Sequence, residues 1–81
     1  MNFVYVLRSL KDKKLYVGLA KDVQKRLIQH NEGSVRATRG RRPLVLIYQE
    51  SYDDRGKAAV REKQLKTGIG REELKIILDA K

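Results

Sequence analysis

Apolar residues come in two patterns along this chain: unbroken runs of about five, and single positions at helical spacing. Phe3-Val4-Tyr5-Val6-Leu7 is such a run. It predicts a strand over Asn2 to Arg8, covered on both faces. Lys11-Asp12-Lys13-Lys14 is a polar turn, and Leu15 to Leu19 reads as a second strand, making an antiparallel hairpin. Gly18, near its end, predicts a bulge or a close backbone approach. Asp22 to Asn31 reads as a helix, with Asp22 as N-cap and Gly33 as stop. Ser34 to Arg42 is a basic segment with room for a short helix. Pro43 then opens a third strand, Leu44 to Tyr48. Asp53 or Asp54 caps a helix running to about Lys66, which Thr67-Gly68-Ile69-Gly70 breaks. A last helix starts at Arg71, with Glu72 and Glu73 at its positive end and Leu74, Ile77 and Leu78 as its apolar stripe. The order β-β-α-β-α-α predicts an α+β fold: one domain over residues 1–81, with a three-stranded, mainly antiparallel sheet flanked by helices.

Five residues break this pattern: Tyr5, Tyr16, Arg26, His30 and Glu62. On a helical wheel at ~100° per residue, Val23, Arg26, Leu27 and His30 share one narrow sector. The apolar pair says that this sector faces inward. Arg26 and His30 are four apart and so stack on adjacent turns. Taken singly, each has a plain structural explanation. An arginine stem can cover apolar surface while its head reaches water, and a histidine can be buried and satisfied. Together on one stripe they are harder to explain that way. On the second long helix, Ala58, Glu62, Leu65 and Ile69 share a sector, provided the helix extends that far. An inward glutamate needs a cation, either a basic side chain or a metal. Tyr5 lies on the face of Phe3 and Leu7, and Tyr16 sits on the neighbouring strand; both also suit the core, with hydroxyls reaching its edge. Tyr48 and Tyr52 read as core or rim.

Charge narrows the partner. Nineteen Lys and Arg stand against ten acidic residues, a formal net charge of +9. A balance of that size favours a nucleic acid or an anionic membrane surface, and the clustered arginines favour the nucleic acid. The basic segment carries Arg36, Arg39, Arg41 and Arg42 with no acid, and arginine forks suit phosphate oxygens. Charge runs are also often just solvated loops. The chain has no cysteine and one histidine, so disulfide frameworks and thiolate or His-rich zinc sites are excluded. No phosphate-binding glycine loop or HExxH pattern is present. The N-terminal apolar run is too short for a membrane span, and a soluble, cytoplasmic protein is expected.

These residues resemble the GIY-YIG nuclease domain, as found in small stand-alone bacterial members and similar to the N-terminal nuclease domain of the excision-repair incision subunit. Phe3-Val4-Tyr5 stands where that family has Gly-Ile-Tyr, and Tyr16-Val17-Gly18 where it has Tyr-Ile-Gly. Asp22 to Asn31 is similar to the family's first helix, with its Arg and a His or Tyr one turn later. Thr38-Arg39-Gly40-Arg41-Arg42-Pro43-Leu44 resembles the basic stretch of the small members, and Glu62 matches the metal-binding glutamate. Each motif is short; their joint order over nearly the whole chain is specific. Phe3 replaces the first motif's glycine, Val17 replaces isoleucine, and the asparagine that some members carry after the glutamate is absent.

The resemblance implies a metal-dependent endonuclease that hydrolyses DNA phosphodiester bonds, in DNA repair or recombination; backbone contacts by the arginines, which position without reading bases, predict little sequence preference. The sequence does not distinguish DNA from RNA. The expected catalytic set is Tyr5, Tyr16, Arg26, His30 and Glu62. Glu62 would hold a single Mg²⁺ or Mn²⁺, and Arg26 would pair with the scissile phosphate. Tyr5 is favoured as general base, although a free tyrosine, with pKa about 10, needs nearby cations to serve; Tyr16 and His30 remain open for that role. Arg36, Thr38, Arg39, Arg41 and Arg42 would contact the nucleic acid. A binding module with little or no chemistry is the alternative.

Overall fold

The computed structural model describes residues 1–80. Its elements are β1 (Asn2–Ser9), β2 (Leu15–Ala20), α1 (Val23–Glu32), a 3-10 turn (Arg39–Arg41), β3 (Leu44–Tyr52), α2 (Arg55–Leu65) and α3 (Gly68–Asp79). The sheet order is β2-β1-β3, antiparallel throughout. This is the α+β arrangement that the pattern predicts.

β1 is central, and its side chains alternate between two cores. Val4 and Val6 join Val17, Ala58, Leu65 and Leu74 on the face covered by α2 and α3. Tyr5 and Leu7 join Val23 and Leu44 on the face covered by α1. An apolar run buried on both sides is why no polar residue interrupts Phe3 to Leu7. β1 pairs Tyr5 with Gly18 and Leu7 with Tyr16, so both motif tyrosines lie on the α1 face. Gly18 is there because the Tyr5 ring crosses its backbone: a Cβ at that position would collide with the ring's Cζ and hydroxyl. The bulge lies elsewhere, between Val6 and Leu7 where β1 meets β3.

α1 begins as its sequence predicts, with the Asp22 carboxylate accepting from Lys25 N at 3.0 Å. Gly33 ends it in the left-handed conformation, at φ 86. The boundaries of β3 and α3 differ from expectation, while α2 ends about where expected. β3 runs on past Tyr48 to Tyr52, because Asn2 through Val6 of β1 hold it in register through the polar stretch Gln49–Ser51. α2 ends at Leu65, so Ile69 is not on the Glu62 stripe; it belongs to α3 and is 85% exposed. α3 starts at Gly68 rather than Arg71, since Thr67 is its N-cap and accepts from Gly70 N at 3.0 Å. Glu72 and Glu73 therefore fall beyond the first turn. Gly70 lets this turn press onto the end of α2, where a Cβ would strike the Gln64 carbonyl.

Candidate functional site

On the α1 face, three side chains form one buried hydrogen-bonded chain. The Tyr5 hydroxyl is 2.8 Å from His30 Nε2, and His30 Nδ1 is 2.7 Å from the Thr38 hydroxyl. His30 and Thr38 are fully buried and Tyr5 is 1% exposed. Each element contributes for a local reason. Tyr5 comes inward by strand alternation and His30 by its place on the α1 stripe. Thr38 enters just before the 3-10 turn, at the centre of the basic segment. Tyr16 closes the group: its ring lies 5.1 Å from the imidazole and 6.4 Å from the Tyr5 ring, centre to centre. Among the described residues its hydroxyl has no protein partner.

The chain is held neutral. Burial pushes the Tyr5 phenol above its usual pKa, with Tyr16 and Glu62 adding to the rise and the Arg26 guanidinium pulling against it. Burial lowers His30, and Arg26 lowers it further. A standing phenolate is therefore disfavoured, contrary to the expectation that cations would depress Tyr5. The neutral imidazole is instead the group within reach of the Tyr5 proton.

Two charges flank this chain. Arg26 is half-buried and donates to the Gln29 side-chain carbonyl at 3.1 Å; among the described residues no carboxylate lies within 4 Å of it. Glu62 is on α2, its side chain 21% exposed, with Lys66 Nζ at 3.2 Å. That lysine is itself half-exposed, so the pair is a weak one. The charge of Glu62 raises the Tyr5 phenol further, as the smallest of the contributions to that rise. The structure thus brings Tyr5, Tyr16, Arg26 and His30 together and sets Glu62 within their field.

Among the described residues there is no group of three or more His, Cys, Asp or Glu side chains that could enclose a metal. A lone carboxylate with one exposed partner fits a hard divalent cation that keeps most of its waters, as Mg²⁺ does. It does not fit zinc, which takes several protein ligands.

The basic segment divides. Arg36 is exposed. Arg39 donates from Nε to Gly33 O, and Arg42 to Arg39 O, both at 2.8 Å. These bonds use one edge of each guanidinium and hold it beside a groove of about 550 Å³ shared with Lys11 and Asn31. Arg41 turns the other way, to Asp12 at 3.1 Å, and ties the segment to the β1–β2 turn. Thr38, expected as a nucleic-acid contact, has no exposed surface to offer one. Its place in the segment is structural, against His30.

Sequence reasoning missed a second polar cluster on the opposite face. Arg61 donates to Glu50 from Nε at 2.8 Å and from Nη2 at 3.0 Å, and also pairs with Glu73. The Tyr48 and Tyr52 hydroxyls each donate to Glu50 at 2.6 Å. Arg61 holds the Glu50 carboxyl down at about 2, and burial beside Glu50 pushes Tyr48 up to about 12. Tyr48, Glu50 and Tyr52 alternate along β3, which is the one trace of this cluster in the sequence.

Residues 1–73 match the model of the GIY-YIG catalytic domain. The chain is 42% identical over 77 residues to a UPF0213 protein of Staphylococcus saprophyticus, covering 94% of this chain and 93% of that one. A UPF0213 protein of Staphylococcus epidermidis is 43% identical over the same shares. The solution structure of a UPF0213 protein from Bacillus halodurans superimposes with a TM-score of 0.57 at 31% identity, covering 95% of this chain and 85% of that one.

Proposed function

Since the chain belongs to the GIY-YIG catalytic domain family, we propose that it is a metal-dependent endonuclease that hydrolyses DNA phosphodiester bonds with little sequence preference. The observation that carries this reading is the Tyr5–His30–Thr38 chain with Arg26 beside it: a buried proton acceptor next to a cation that lacks a carboxylate partner among the described residues.

The roles follow from the chemistry. Arg26 takes the scissile phosphate and offsets the charge that builds on it during attack. Tyr5 accepts a proton from the attacking water as its own passes to His30 Nε2, so the proton comes to rest on the imidazole and no free phenolate forms. Thr38 fixes the ring by accepting from Nδ1–H, which leaves Nε2 as the acceptor. Tyr16, half-buried and with no partner for its hydroxyl among the described residues, orients the water or a phosphate oxygen. Glu62 would hold Mg²⁺, which when bound withdraws charge from the phosphate. Arg36, Arg39 and Arg42 grip the backbone, contacts that position a strand without reading its bases. In this role the protein would serve repair or recombination in the cytoplasm.

The test is nicking of supercoiled plasmid with Mg²⁺ or Mn²⁺. Arg26→Ala should reduce the rate about 10²-fold or more, with the fold retained. Equal nicking by wild type and variant would trace the activity to a contaminant and favour a binding module instead.

A further inference from the structure

A second cleft, of about 340 Å³, lies between the β1–β2 turn and the α2–α3 junction, outside the groups just described. Its floor is Leu15, Val17, Leu65 and Leu74. Leu65 and Leu74 are fully buried and only back the cleft, so the apolar surface open to a ligand is the half-buried Leu15 with the edge of Val17. Its rim is Lys13, Lys14, Lys66 and Arg71, with no acid among the lining residues. Lys13 holds the turn in a left-handed conformation at φ 64.

An apolar floor beneath four cations suits a ligand with an apolar face and an anionic group. The volume is at the small end of the range of roughly 300–1,000 Å³ typical of ligand pockets. One nucleotide enters such a cleft and a double helix does not. Position points the same way. Lys66 on the rim is 3.2 Å from Glu62, the candidate metal ligand, so cleft and catalytic centre share a side-chain contact.

We propose that this cleft holds one unpaired nucleotide of the substrate strand, its base against Leu15 and the edge of Val17 and its phosphate against Lys66 and Arg71. The proposal rests on the nuclease reading and narrows the substrate to a strand with an unpaired base beside the cut. Phosphate contacts alone would not discriminate such a strand; the floor does.

The experiment follows the methyl resonances of Leu15, Val17, Leu65 and Leu74 in the full chain. It titrates a short oligothymidylate, an abasic oligomer of equal length, and an acidic peptide bearing one apolar residue. The base-bearing oligomer should shift these methyls and bind about tenfold more tightly than the abasic one. Leu15→Lys, which adds positive charge while spoiling the floor, should abolish that difference. Equal binding of the two oligomers by the wild-type protein, or methyl shifts with the peptide alone, would overturn the proposal. Base-dependent shifts in a protein that never nicks plasmid would support the cleft and overturn the nuclease reading. Nicking without base-dependent shifts would do the reverse.

Discussion

Each face of the sheet buries a polar cluster against its helices. On the α2/α3 face, Arg61 is gripped by Glu50 and Glu73, and Glu50 takes two tyrosine hydroxyls as well. Every charge there has an opposite charge or a donor, and the cluster ties β3, α2 and α3 together. On the α1 face the central chain is neutral and the flanking Arg26 is poorly matched, with only an amide as partner; Glu62, on α2, has only a half-exposed lysine. Buried charge is costly unless paired. A cluster that is closed on itself is explained by folding, whereas one with charge left over has a place for a phosphate and a cation. Both faces have Tyr and Arg, so residue type does not separate structure from chemistry; satisfaction does.

Breaking the closed cluster should give the largest stability effect. Arg61→Ala leaves Glu50 without its cation and should cost about 2–4 kcal/mol in urea unfolding, while the folded fraction nicks plasmid at the wild-type rate. A loss of nicking per folded molecule would move this cluster into the chemistry.

Thr38 sharpens the comparison at smaller scale. Thr38→Val removes the hydroxyl from His30 and should lower the nicking rate about tenfold, with little change in substrate affinity. Thr38→Ser should restore it. Weakened binding with an unchanged rate would return Thr38 to the nucleic-acid contacts.

The smallest effect is in pH. His30 has a folded pKa below its usual 6.5, so the unfolded chain binds the extra proton. Its contribution is present above about 6.5 and lost as pH falls through the folded value. Glu50 contributes above its usual 4.5 and loses that contribution only between 4.5 and about 2. Thermal melts should decline in two stages, the first by a few degrees and abolished in His30→Gln. The nicking rate should fall on the acid side over the first stage, as His30 takes up a proton before it can accept one.

Much of this was legible in sequence. The run Phe3–Leu7 marks a strand covered twice, and the α1 stripe places Arg26 beside His30. Gly18 signals the close approach, here of the Tyr5 ring. What stayed hidden depends on contacts between distant segments. Glu50, Arg61 and Glu73 are 11 and 12 residues apart and on three elements, so no local period reveals them. Gln49–Ser51 looks like a loop until β1 pairs with it. Gly68 and Gly70 read as a break, although Thr67 caps a helix through them. Thr38 sits among arginines and looks exposed; only its distance to His30 shows otherwise.

The most direct test makes one substitution at two carboxylates. Glu62→Gln and Glu50→Gln are each assayed for Mg²⁺-dependent nicking per folded molecule, with melting recorded alongside. The account predicts that Glu62→Gln stays folded and loses cleavage and metal affinity, while Glu50→Gln melts earlier and its folded fraction cleaves at the wild-type rate. Undiminished cleavage by Glu62→Gln, or its loss in well-folded Glu50→Gln, would contradict it.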